Sequence, residues 1–89
     1  MTDNQRTTFI YWLERLNNEM DKEQERAEKH EKAGNTEKQE KAIVRMNNKC
    51  SEMSGMIKAL EILDINVRWH YDKETGAETP YLEPIKHME

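Results

Sequence analysis

Residues 43–60 read IVRMNNKCSEMSGMIKAL, and their apolar side chains recur at helical spacing. The members of this series are Ile43, Met46, Cys50, Met53, Ile57 and Leu60. The gaps between them alternate between 3 and 4 residues, which keeps six side chains on one stripe of an α-helix. We therefore predict a helix here, with an apolar seam that packs on another helix.

A matching series runs backwards from Gly34 and Asn35, two residue types that favour turns. Its members are Ala27, Glu23, Met20, Leu16, Leu13 and Phe9. When the two series are paired outward from the turn, the residue numbers of every pair add to 69 or 70. An antiparallel hairpin requires such a constant sum, because each step down one helix is a step up the other. The sequence predicts two helices, over about 4–33 and 36–63.

Local signals define the ends of these helices. Gly34 suits the left-handed position after the first helix, and Thr36 with Gln39 predicts a capping box for the second. Several residues could cap the start of the first helix: Thr2, Asp3, Thr7 or Thr8.

The pattern changes after Asp64. Residues 66–71 read NVRWHY, residues 72–76 read DKETG, and residues 79–82 read TPYL. Extended runs on either side of turn residues predict a short β-hairpin or an extended arm over 66–83. Such an arm is marginal alone, so we expect it to pack on the wide end of the helical hairpin, opposite the Gly34 turn. Residues 84–89 are expected to form a frayed tail, and the whole chain (1–89) a single small domain.

Composition limits the core. The chain has 89 residues, 35% of them apolar and 36% charged, so a monomer can bury only a thin core and we expect a homo-oligomer. Its one cysteine, Cys50, excludes a disulfide within the chain, and its place on the seam predicts a small buried hydrophobe in a reducing compartment. No apolar run is long enough for a membrane span and the first residues do not resemble a signal peptide, so we expect a cytoplasmic protein.

Heptad positions sort the charges onto two flanks of the hairpin. The basic flank is Arg15, Lys22, Arg26, Lys29, Lys38, Arg45 and Lys49, with Glu52 as an exception. The acidic flank is Glu14, Asp21, Glu28, Glu31, Glu37, Glu40 and Glu61, with Lys58 as an exception. These flanks could serve only to keep the helices solvated. They could also join two copies around a dry centre of Trp12, Met56 and Leu63, or hold an anionic ligand on the basic side.

Glu23 is the one charged residue on the predicted seam, opposite Met46. Its side chain could simply reach out of a narrow interface. Alternatively, it could set the register of the two helices by pairing with Lys49 or Lys22.

No motif for catalysis or metal binding is recognisable. His30, His70 and His87 fall on the tip, the arm and the tail, and one cysteine with three separate histidines does not match a zinc motif. The chain also lacks a Gly-rich phosphate loop and a nucleophile elbow. We therefore expect no enzyme activity, no cofactor and no metal.

Two functions fit this layout. The first is a protein-interaction module, a regulatory or inhibitory binder that uses its aromatic wide end and its arm. Its candidate partner-binding residues are Tyr11, Trp12, Arg68, Trp69, Tyr71 and Tyr81. The second is an oligomer that sequesters a small anionic ligand, such as a cyclic nucleotide, on the basic flank. Its candidate anion-binding residues are Arg15, Lys22, Arg26, Arg45 and Lys49.

In size and layout alone, the chain is similar to small accessory proteins of phages and mobile elements. Some of those proteins are helical-hairpin oligomers that sequester cyclic nucleotide signals, and others block a defence enzyme by contact. The similarity implies a regulatory or inhibitory binder of the anti-defence type. It implies no role for any individual residue. The net charge of −4 argues against general binding of nucleic acids.

Overall fold

The computed structural model describes residues 1–85 and is mainly helical, as predicted. The first helix, α1, spans Asp3–Lys32 and the second, α2, spans Thr36–Ile62. Two strands follow, β1 at Ile65–Tyr71 and β2 at Glu78–Pro84, and they form one antiparallel sheet. Over residues 1–85, no helix combines the length and the apolarity that a membrane crossing needs.

A capping box starts α1. The Thr2 hydroxyl accepts a hydrogen bond from the Gln5 amide at 3.1 Å, and the Gln5 side chain accepts one from the Thr2 amide at 2.9 Å. These two bonds satisfy backbone donors that have no partner within the helix. Among the four predicted candidates, Thr2 is therefore the N-cap.

Gly34 allows the sharp turn between the helices. Its φ of 72° lies in the left-handed region, as predicted. The Gly34 amide donates to the Glu31 carbonyl, and the Asn35 amide donates to the His30 carbonyl, which completes a Schellman motif. The predicted Thr36–Gln39 capping box is wrong. The Asn35 side chain caps α2 instead by accepting from the Lys38 amide at 3.2 Å, because Thr36 is already inside the helix.

The seam of α1 is the predicted one. Its buried residues are Leu13, Leu16, Glu23 and Ala27. The seam of α2 differs, because Ala42 and Lys49 face α1 in place of Ile43 and Cys50, which are exposed. Apolar spacing cannot separate two neighbouring positions that lie only about 100° apart around a helix. Near the tip, the predicted Ala27 of α1 is buried, and on α2 the small Ala42 is buried in place of the larger Ile43.

The exposure of Cys50 corrects a second expectation. Its place in the apolar series predicts a small buried hydrophobe instead. The half-buried neighbour Lys49 takes the inward position, because its ammonium group reaches Glu19 on α1. Cys50 is consequently turned toward solvent.

The arm folds as a β-hairpin and covers the wide end. Val67 lies opposite Leu82, and Trp69 lies opposite Pro80. Leu82 joins Leu13 and Leu60 in the buried core, so one cluster ties the sheet to both helices. Gly76, with a φ of 72°, closes the loop between the strands.

The last described residues belong to the fold. Pro84 ends β2, and the Ile85 amide donates to the Asp64 carbonyl at 2.8 Å. The prediction that the frayed tail starts at Pro84 is therefore wrong, because backbone pairing continues through Ile85. The rest of that predicted tail, 86–89, lies outside the described residues.

Candidate interaction surfaces

An apolar groove opens between α1 and α2 at the wide end of the hairpin. Phe9, Trp12 and Met56 line a concavity of about 260 Å³ whose wall is almost entirely apolar. Three polar residues of the first two turns of α1 complete its rim: Asn4, Gln5 and Thr8. The predicted neighbours Trp12 and Met56 thus come together here, although they lie on different helices.

A second concavity continues this surface toward the sheet. It has a volume of about 470 Å³ and shares Gln5 and Phe9 with the first. Its other lining residues are Met1, Leu63 and Ile65. Leu63 is 60% exposed and Met1 is 47% exposed, so apolar surface extends across the end of the molecule. We call the two concavities together the wide-end groove.

Trp12, at the edge of this groove, is held between two neighbours. The rings of Tyr11 and Trp12 meet edge-on with centroids 5.7 Å apart, and the Arg15 guanidinium lies 5.1 Å from the Trp12 ring centroid. Both contacts restrict the indole while it stays 44% exposed. Tryptophan is among the residue types enriched in binding hot spots, and contacts that favour one orientation of the ring reduce the entropy lost on binding.

The other predicted partner-binding residues lie on the sheet, on both of its faces. Arg68 and Tyr81 are cross-strand neighbours on the outer face, where Arg68 Nε lies 3.2 Å from Glu83 Oε2. Trp69 is on the inner face and packs against the core cluster. Tyr71, near the loop, is exposed. A Trp69 substitution would therefore change the packing as well as any surface, whereas Trp12 can be replaced without opening the core.

The five predicted anion-binding residues line two adjoining concavities on the basic flank. One, of about 450 Å³, is lined by Tyr11, Glu14, Arg15, Asn18, Glu19 and Lys22. The other, of about 380 Å³, is lined by Glu19, Lys22, Glu23, Arg26, Arg45 and Lys49. The helical hairpin thus assembles the predicted cations, and it also places acidic side chains among them.

Glu19 neutralises part of this basic flank. Its two carboxylate oxygens lie 3.0 Å from Lys49 Nζ and 3.0 Å from Arg15 Nε. The bond from Lys49, followed by the bond from Arg15, lowers the pKa of Glu19, and it raises the pKa of Lys49 in return. All three side chains remain solvated, so the network contributes little to stability and mainly removes free positive charge.

Glu23 is the second acid in the flank, and it is buried at 7% exposure. Its carboxylate accepts from Arg45 Nε at 2.9 Å and from Arg26 on its own helix. Burial by itself would raise the pKa of Glu23, but the Arg45 bond and the charges of both arginines lower it overall. Of the two alternatives for Glu23, the structure supports a cross-helix pair. The predicted partners Lys49 and Lys22 are wrong, because Arg45 has the nearer position on α2.

The sequence pattern did not predict the ion pairs of Glu19 or the pairing of Arg45 with Glu23. The spacing of Arg15 and Glu19, four residues apart, was a signal for one of these pairs. The cross-helix pairs depend on which residues of α2 face α1, and that assignment required the structure. Among residues 1–85, Lys22 is the one cation of the five that has no ion pair.

Metal-binding groups do not cluster in the part of the chain that the structure describes. Within residues 1–85 no three His, Cys, Asp or Glu side chains lie close enough together to hold a metal ion. His30 lies on α1 near the tip and His70 on β1, while His87 lies outside the described residues.

Comparisons with known proteins identify no relative. No family model, no curated protein and no solved structure matches the chain.

Proposed function

We propose that this chain is a small non-enzymatic protein-interaction module that binds another protein through the wide-end groove. The observation that supports this proposal is the groove itself, two mainly apolar concavities that share Phe9, the first lined also by Trp12 and Met56 and the second by Leu63. The module acts by covering part of its partner's surface, which makes it a regulatory or inhibitory binder. The anti-defence role implied by the similarity to phage and mobile-element accessory proteins belongs to this proposal.

The exposed residues of the groove supply the binding energy. Burying a large apolar side chain contributes about 1.5–3 kcal/mol, so Trp12 and Leu63 together could support measurable affinity. Trp12 is already ordered by Tyr11 and Arg15, which reduces the entropy lost on binding. An apolar helix or loop of the partner is the element that fits a groove between two helices.

The charged flanks have a lesser role in this proposal. Arg15, Arg26, Arg45 and Lys49 are each paired with Glu19 or Glu23 inside the chain. A partner would have to displace these carboxylates in order to use the cations. We therefore expect the binding to depend only weakly on salt concentration.

Quantitative affinity purification tests the proposal, with Trp12→Ala compared with wild type. A genuine partner should be recovered by wild type and lost by the variant, and with purified components its affinity should fall at least about tenfold, as for a hot-spot tryptophan. Thermal unfolding followed by circular dichroism should stay near wild type, because Trp12 is half exposed.

Arg26→Glu is the matched control for the charged flank and should leave recovery of the partner unchanged. If Trp12→Ala retains the partner as well as wild type does, the wide-end groove is not the binding surface. If Arg26→Glu alone loses the partner, the interaction depends on the basic flank.

An alternative is an oligomer that sequesters a small anionic ligand. The observation in its favour is that the five predicted cations line two adjoining concavities, with Tyr11 at one end. Glu19 and Glu23 already form ion pairs with four of these five cations, which weakens the alternative. Lys22 and the remaining guanidinium donors would have to bind the phosphate groups.

Native mass spectrometry of protein purified without denaturation distinguishes this alternative from the first proposal. A bound mass of nucleotide size that Arg26→Glu abolishes and Trp12→Ala preserves would favour the anion binder. Protein free of ligand, and calorimetric titration with cyclic dinucleotides that shows no heat of binding, would exclude it.

A further inference from the structure

A two-stranded sheet has two outer edges, and the hydrogen bonds at its ends show which residues face them. The Asp72 amide donates to the Ala77 carbonyl, and the Ile85 amide donates to the Asp64 carbonyl. Hydrogen-bonded pairs alternate along an antiparallel ladder, so the even-numbered residues of β1 bond to β2. The N–H and C=O groups of four other residues must therefore point away from β2: Ile65, Val67, Trp69 and Tyr71.

The outer edge of β2 is blocked. The outward positions on this strand include Pro80 and Pro84, which have no N–H to donate. Leu82, between them, offers an outward carbonyl, but Arg6 Nη1 of α1 donates to it at 3.4 Å. Proline and a covering side chain are two devices by which proteins prevent pairing at a sheet edge.

The outer edge of β1 has neither device. No proline or lysine occurs in β1, and its Val, Trp and Tyr residues favour strands. Within residues 1–85, β2 is the one strand hydrogen-bonded to β1. The edge therefore presents a row of alternating donors and acceptors, which is a template for one more strand.

We propose that a second copy of this chain occupies that edge, with the two β1 strands antiparallel. The result is a four-stranded sheet in the order β2-β1-β1-β2, related by a twofold axis. Both remaining edges of this sheet are the blocked β2 edges, so assembly ends at the dimer. This closure favours a second copy over an unrelated extended peptide.

Side-chain patterns agree with self-pairing centred on Arg68. In that register Val67 meets Trp69 of the second copy, and Ile65 meets Tyr71, so inner-face apolar side chains lie beside each other. On the outer face the two Arg68 side chains come together. Each already pairs with Glu83 at 3.2 Å, and these exposed carboxylates offset part of the repulsion between the two guanidinium groups.

Exposed apolar residues at the C-terminal end of α2, just before β1 in the chain, support the same arrangement. Ile62 is 83% exposed and Leu63 is 60% exposed, and they precede β1 by only a few residues. Surfaces of this kind are usually covered in a small protein with a thin core. Pairing at β1 brings a second chain close to them.

Two variants test the proposal, each with a proline at one outward-facing position of β1 or of β2. Tyr71→Pro removes one outward N–H of β1 without touching a bond to β2, and Glu78→Pro does the same for β2 at the residue directly opposite. We expect wild type and Glu78→Pro to sediment at twice the chain mass of 10.7 kDa. Tyr71→Pro should dimerise at least about tenfold more weakly, because it breaks the added ladder.

The control variant Tyr71→Thr also loses the aromatic ring but retains the backbone N–H. If the dimer depends on backbone pairing, this variant should stay dimeric. Hydrogen exchange on wild type gives a direct reading that needs no substitution. Raising the protein concentration should protect the amides of Ile65, Val67, Trp69 and Tyr71. The amides of the intervening residues should be protected at every concentration.

Two results would overturn the proposal. One is a wild-type chain that remains monomeric at high micromolar concentration. The other is a dimer that Tyr71→Pro does not weaken and in which the outward β1 amides exchange freely. That second result would place the contact on another surface, such as the wide-end groove, where Trp12→Ala rather than Tyr71→Pro would dissociate it.

Discussion

Glu23 shows how one residue can serve both register and stability. A carboxylate at 7% exposure would be costly to bury alone, and Arg45 and Arg26 compensate for that cost. The Arg45 bond joins α1 to α2, so sliding one helix along the other would leave the buried carboxylate without its cross-helix partner. Glu23 therefore favours one alignment of two helices whose apolar seams are thin.

Glu23→Gln is expected to lower the free energy of unfolding by about 1–2 kcal/mol at pH 7, because the single amide oxygen can accept from one arginine while the NH2 group faces the donors of the other. The estimate is modest since both arginines are half exposed and stay hydrated. Urea denaturation followed by circular dichroism measures it. Glu25→Gln, an exposed substitution on the same helix, should cost much less.

The pH dependence of this effect has a defined sign. The folded-state pKa of Glu23 is lowered, so its stabilising contribution is complete above the unfolded-state pKa and disappears as the pH falls toward the folded-state value. The stability gap between wild type and Glu23→Gln should therefore narrow between roughly pH 5 and pH 3. A gap that stays constant over this range would show that the glutamine acts through packing.

At the scale of an element, α2 shows how far apolar spacing can be trusted. The heptad pattern correctly predicted the helix, its direction and its partner, because burying an apolar stripe is the main reason for the two helices to associate. The same pattern misplaced two seam positions by one residue. Lys49 faces α1 because Glu19 lies there to pair with it, and Ala42 is fully buried. Neither outcome is visible in the sequence of α2 alone.

A pair of substitutions tests the observed seam. Ala42→Leu should destabilise the protein by about 1–3 kcal/mol, because Ala42 is fully buried and the larger side chain overpacks the interface. Ile43→Ala should cost less than about 1 kcal/mol, because Ile43 is already 36% exposed. Thermal unfolding of both variants measures the difference. The reverse order of stabilities would restore Ile43 to the seam.

At the scale of the whole molecule, the sheet and the helices share one core. Leu82 of β2 meets Leu13 of α1 and Leu60 of α2 in the same cluster, and Arg6 adds a bond from α1 to the Leu82 carbonyl. A two-stranded sheet is marginal by itself, so its stability comes from this contact. The wide-end groove lies beside the junction, with Phe9 and Ile65 in contact with both the groove and the core cluster.

Leu82→Ala should therefore destabilise the whole protein and not only its C-terminal part. We expect a loss of about 2–4 kcal/mol and a single unfolding transition, because the substitution opens a cavity between three elements. Far-UV and near-UV circular dichroism, recorded on the same sample, should give coincident melting curves. Tyr81→Ala, one position away on the outer face, should change the melting temperature far less, and separate transitions would mean that the sheet unfolds independently.

The sequence by itself determined the helical hairpin, its Gly34 turn and the extended character of the arm, because periodicity, turn residues and β-branched or aromatic runs are local signals. The tertiary structure alone decided which neighbours face inward, as at Ala42 and Lys49. It also decided which acid meets which cation, that Trp69 packs inward while Trp12 stays exposed, and that β2 is blocked while β1 is open. These outcomes depend on contacts between distant parts of the chain, such as Arg6 with Leu82, and such contacts cannot be inferred from a local sequence pattern.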